Sequence, residues 1–158
     1  MTKSSDLANR LREVLLNGHW IANTNFKELI TGVNWKQASQ KVGNLNSIAA
    51  LTFHINYYLA GILSFFSNGK FEISDKYSFD LPPVQSEEDW NSLVSEFLYN
   101  AEKFARQVEM MDDKMLDKVF VEEKYGTYWR NIEGVIEHSY YHLGQISLVK
   151  KLIMQSGL

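Results

Sequence analysis

The chain contains no cysteine. Disulfides and thiolate metal sites are therefore excluded, and a transition-metal site would have to use His, Asp or Glu. Proline is almost as scarce. The only two stand side by side at Pro82-Pro83, so the sequence before about residue 68 and after about residue 86 is free to be helical. Neither sign of charge dominates: 16 basic and 19 acidic residues are well mixed and give a net charge of -3. The missing basic stripe argues against nucleic acid as a partner. The longest apolar stretch, Tyr57 to Phe66, is shorter than the roughly 20 residues that a bilayer demands. Met1 to Asp6 lacks the apolar segment of a signal peptide. Together these absences predict a soluble, cytoplasmic, bacterial-type protein with no membrane partner. What is present is apolar mass. At 45% hydrophobic over 158 residues, the chain can fill the core of one domain without staples.

Hydrophobic spacing predicts four long helices. The first runs from about Ser5 to about Ile30, with Leu7, Leu11, Val14 and Leu15 and then Ile21, Phe26 and Leu29 on its apolar face. Gly18 is a point where it can kink, and Gly32 is placed to end it. Trp35 to Gly43 reads as a loop. Asn46 or Ser47 can cap the second helix, which is apolar around most of its circumference and closes at Ser67-Asn68-Gly69. Ser86, with Asp89 three residues on, marks the start of the third helix, which extends to about Met111. Asp112 to Lys124 is polar and mixed, with a short turn around Met115-Leu116. The last helix begins near Tyr128 and runs to about Met154.

The segment between the second and third helices lacks helical periodicity. About 17 extended residues reach roughly 55 Å, whereas a helix of this length spans about 30–40 Å. That connection can run the length of the molecule and leave the two helices parallel. The expected fold is an all-α four-helix bundle forming a single domain over residues 1–158.

The chemistry concentrates in Glu137-His138-Ser139-Tyr140-Tyr141-His142-Leu143-Gly144-Gln145-Ile146. His138 and His142 lie four residues apart on one helix face, so both imidazoles can reach one ion. His54 sits mid-way along another apolar helix. Three neutral nitrogen ligands would leave a coordination position open, as catalytic sites do. From spacing alone, two separately packed or solvated histidines are an equal reading, and a lone His54 would more often be a satisfied core residue. His19 reads as structural or surface.

These segments carry a resemblance. The chain resembles the DinB/YfiT-like superfamily of metalloenzymes, and more narrowly a DinB-like subfamily. The likeness lies in Leu51-Thr52-Phe53-His54-Ile55-Asn56-Tyr57-Tyr58, in Asp75-Lys76-Tyr77-Ser78-Phe79-Asp80-Leu81-Pro82, and in Ile136 to Ile146 with its His-x-x-x-His-x-x-Gln motif. It covers nearly the whole chain. It implies an up-down-down-up bundle and a divalent metal, commonly nickel or zinc, held by His54, His138 and His142. Many members carry Arg after the last ligand His, where this chain has Leu143. Some relatives are thiol S-transferases or isomerases that use low-molecular-weight thiols, and others are called hydrolases.

Around those ligands, Gln145, Tyr57 and Tyr58 are candidate helpers by helical spacing, although helix packing accounts for each as well. Glu133 and Glu137 sit beside the His face, where they can orient an imidazole or stay solvated. No carboxylate occupies the place of the glutamate in His-Glu-x-x-His proteases, which argues against peptidase chemistry. The expected function is a metal-dependent enzyme activating water or a thiol for a small-molecule substrate, as a hydrolase or thiol S-transferase. The alternatives are a non-catalytic metal-binding or stress-response ligand-binding bundle, and a helical bundle with no metal. Surplus apolar helix surface suggests a homodimer.

Overall fold

The computed structural model describes residues 1–157. Among the described residues there are seven α-helices and no strand: α1 (Lys3–Arg12), α2 (Phe26–Thr31), α3 (Trp35–Ser39), α4 (Ile48–Asn68), α5 (Glu87–Glu109), α6 (Asp113–Leu116) and α7 (Tyr128–Gln155). Most of the starts are capped as the residue types dictate. The Ser47 hydroxyl accepts from the Ala50 N–H, Ser86 from Asp89, and Thr127 from Arg130. Gly69, at φ +72°, ends α4 in the left-handed conformation that a side chain would oppose.

Helix α5 packs along both α1 and α4, and α7 closes the circuit against α4 and α1. The core between them holds the fully buried Trp90, Phe26, Phe97 and Phe104. Phe26 stacks on Phe97 at 5.2 Å, and the Trp90 indole donates to the Val33 carbonyl at 3.1 Å. Asn56 ties α4 to α5, donating to Glu96 at 3.2 Å and accepting from Asn100 at 2.9 Å. A buried amide needs both partners, so this pair also fixes the register of the two helices. Helix α4 is long and apolar enough by composition to cross a membrane. Ten of its residues, Asn56 and His54 among them, are instead buried inside the protein.

The structure corrects the sequence reading in two places. The expected first helix is not continuous. After α1, residues Glu13–Asn17 widen into a π turn, Gly18 is extended, and an irregular turn leads to α2. Asn25 holds the break. It is fully buried, its side chain caps α2 by accepting from Glu28, and its amide donates to the Gly18 carbonyl at 3.1 Å. Two hydrogen bonds from one buried side chain outweigh helix continuation here. Ile21, counted on the apolar face, is consequently exposed. The second correction is the loop expected at Trp35 to Gly43, which contains α3. A capping box between Asn34 and Gln37 starts that short helix.

Gly18 at this break is a close-approach glycine. A Cβ there would lie 2.6 Å from the Glu13 Cα, which real structures do not tolerate. Gly18→Ala is expected to destabilise the protein by about 1–3 kcal/mol through this overlap. A urea midpoint equal to that of the wild type would show that the π turn is not held as described.

Candidate metal centre

His54 sits in the second turn of α4, and His138 and His142 are one turn apart on α7. The packing of α4 against α7 brings the three together. Their candidate ligand atoms all lie within 4.8 Å of one another. The Nε2 of His138 is 3.1 Å from that of His54 and 2.9 Å from that of His142. Nitrogens bound to one ion at about 2.0–2.1 Å lie about 2.9–3.4 Å apart, so the cluster is close enough to hold a metal ion.

The tautomers are set from outside the cluster. His54 Nδ1 donates to the Ser78 carbonyl at 3.2 Å, and His142 Nδ1 donates to Gln145 Oε1 at 2.6 Å. With the proton on Nδ1, each Nε2 presents a lone pair to the centre. The two acceptors converge on the Nε2 of His138, and their repulsion is relieved either by a proton on that nitrogen or by an ion among the three. The donor set therefore fits a cation.

Electrostatics favours the same state. Burial, and then the charges of His142 and His54, hold the His138 imidazole down at about 4, below the usual 6.5. Burial and His142 lower His54, and burial lowers His142. All three are neutral at neutral pH, as ligation requires.

The other candidates divide. Gln145 belongs to the site as the partner that orients His142. Tyr58 packs edge-on to His54 and His138, at 5.1 and 5.3 Å, and lines the cavity beside them. Its hydroxyl donates to Asp75 at 2.7 Å, and burial with that carboxylate pushes its pKa up to about 12. Tyr57 points elsewhere, its hydroxyl joined to both backbone groups of Ser74. Glu133 pairs with Arg10 at 3.4 Å and Glu137 with Arg130 at 3.0 Å, so these acids answer cations rather than imidazoles. His19 is exposed and pairs with Glu28.

Three contributors were not recognised as site residues from sequence: Asp75, Ser78 and Phe79. All arrive on the connection between α4 and α5, which turns through a short 3-10 segment at Asp75–Tyr77. The Phe79 ring stacks on His54 at 4.0 Å, nearly parallel. Their sequence signal was an aromatic, polar stretch ahead of the double proline, which carries part of the resemblance but does not say which of its side chains face the histidines. No family model, curated protein or solved structure matches the chain.

Two outcomes follow from this geometry. Gln145→Leu removes the acceptor that fixes the His142 tautomer and is expected to weaken metal affinity about 10–100-fold. A competition titration reads this, and unchanged affinity would contradict the orienting role. The second outcome concerns pH. Below 6.5 the unfolded chain protonates its histidines while the folded chain holds His138 neutral to about 4. The unfolded state then binds more protons, so stability falls as pH drops through this window. Chelator-treated protein is expected to melt at a lower temperature at pH 5 than at pH 7.5, and less so in His138→Gln. An equal drop in that variant would assign the effect to other groups.

Proposed function

We propose that the protein is a divalent-metal-dependent enzyme of the DinB/YfiT-like type, with nickel or zinc held by His54, His138 and His142. The observation that carries this reading is the meeting of three Nε2 atoms from two helices, two of them oriented by partners outside the cluster, beside a cavity that His138 lines. The fold that we infer is an up-down-down-up bundle of α1, α4, α5 and α7. The circuit of contacts among these four helices and the long connection from α4 to α5 support it. The substrate is a small molecule, and the reaction is hydrolysis or S-transfer from a low-molecular-weight thiol.

Such an ion supplies Lewis acidity and lowers the pKa of water or a thiol toward neutrality. The chain supplies the rest. His54 and His138 or His142, on different helices, bind from different directions. Phe79 covers the outer face of His54. Tyr58 keeps its phenolic proton at neutral pH and donates it to Asp75, which leaves the phenolic oxygen at the cavity wall as an acceptor. It is placed to accept a hydrogen bond from an O–H, N–H or S–H group of the substrate. We read the protein as a cytoplasmic homodimer. Exposed Trp20, Ile21, Tyr141 and Leu148 support the dimer as apolar surface awaiting cover.

Elemental analysis of untagged protein purified without chelators tests the central claim. The wild type is expected to carry close to one equivalent of a divalent metal, and His142→Ala to lose it while keeping its helical circular dichroism. A wild type that is metal-free and takes up neither added nickel nor added zinc would end the metalloenzyme reading.

A further inference from the structure

Of the three imidazoles, His138 lines the groove beside the cluster and stands at one end of it. That groove encloses about 570 Å³, within the range of about 300–1,000 Å³ typical of small-molecule sites. Its floor is one face of α7, where Asn131, Gly134 and His138 recur at helical spacing. Ile62 of α4, Phe71 and Ile73 of the connection, and Phe120 form an apolar wall. A Cβ added at Gly134 would meet nothing within 4 Å, so the space above that residue belongs to the groove.

The two ends differ in charge. Tyr58 and Asp75 flank the His138 end. Lys124 and Arg130 line the other, beside Tyr125, whose carbonyl accepts from the Asn131 amide at 2.8 Å. The backbone of Arg130 precedes that of His138 by eight residues, about 12 Å along the helix axis, and its side chain reaches toward Glu137. Lys124 and Arg130 are paired with Glu122 and Glu137, at 3.1 and 3.0 Å. Both pairs are well exposed and cost little to open, and neither glutamate lines the groove. An anion entering there meets two cations, whereas at the other end it meets the carboxylate of Asp75.

We propose that the groove takes an elongated molecule with an apolar body and an anionic end. The anionic end lies against Lys124 and Arg130, the body lies over Gly134 against the apolar wall, and the reacting end lies beside His138. The position of the reacting end rests on the metal-site reading; the anionic and apolar positions do not.

Octanoate, octylamine and acetate are titrated calorimetrically into the full chain, with and without chelator. Octanoate is expected to bind at least about tenfold more tightly than the other two in both conditions, and to weaken about tenfold in Lys124→Ala/Arg130→Ala. Gly134→Leu is expected to lose octanoate while taking up zinc like the wild type. The double variant changes only exposed side chains, so it decides the matter if Gly134→Leu does not fold. Octanoate binding no tighter than acetate or octylamine would overturn the proposal. So would binding that ignores the double substitution, or binding seen only without chelator, which would place the carboxylate on the metal. Failed zinc uptake with octanoate binding intact would remove the metal reading and leave the anionic and apolar positions standing.

Discussion

Tyr57 grips the backbone of Ser74 with one hydroxyl, donating to its carbonyl at 3.0 Å and accepting from its N–H at 2.9 Å. That clasp docks the connection between α4 and α5 onto the face of α4 that carries His54. A bare backbone at Gly61 helps, since a Cβ there would sit 2.5 Å from the Ile73 side chain. From this fixed point the chain delivers Asp75 to Tyr58, the Ser78 carbonyl to His54 Nδ1, and the Phe79 ring to the face of His54. A buried imidazole without a partner for its N–H would be costly and free to rotate. His54 has its tautomer and its orientation because the connection is pinned.

The partners chosen for the imidazoles are neutral: a carbonyl for His54 and an amide oxygen for His142. A carboxylate in either place would raise the basicity of its imidazole and bring negative charge to the centre. With neutral ligands and neutral partners, a bound divalent ion would keep its full charge for whatever approaches from the groove. The nearby acids are occupied elsewhere, Glu133 with Arg10 and Glu137 with Arg130. Asp75 alone faces the groove close to the imidazoles, with Tyr58 as its hydrogen-bond donor. The electrostatics is thus graded along the groove, from a carboxylate beside the histidines to two cations at the far end.

Helix α4, helix α5 and helix α7 were legible in the sequence because their cues are local. Ser47 and Ser86 mark two of the starts, Gly69 marks one end, and apolar spacing fills the interiors. The His138 and His142 pair was legible for the same reason, since helical geometry alone places them together. The first helix was misread because its apolar spacing continues through a break that Asn25 makes by capping α2 and reaching back to Gly18. Asp75, Ser78 and Phe79 stood out only as part of a segment that carries the resemblance, and their separate roles were not legible because that segment has no periodicity to say which side chains face the site. Tyr57 and Tyr58 looked equivalent by spacing, one turn or so from His54. Only the path of the connection separates them, sending Tyr57 to Ser74 and leaving Tyr58 at the groove.

By itself the sequence determined an all-helical chain, the absence of disulfides and cysteine ligands, and two histidines on one helix face. These follow from residue type and from the fixed geometry of a helix, which needs no partner to define it. The tertiary structure decided that His54 meets that pair, which nitrogen each of His54 and His142 presents, and what surrounds them. Those facts depend on contacts between residues far apart in the chain, between α4 and α7 and between α4 and the connection that folds back over it. No local pattern encodes a contact of that kind, because its stability comes from burial and hydrogen bonds that exist only once both partners are in place.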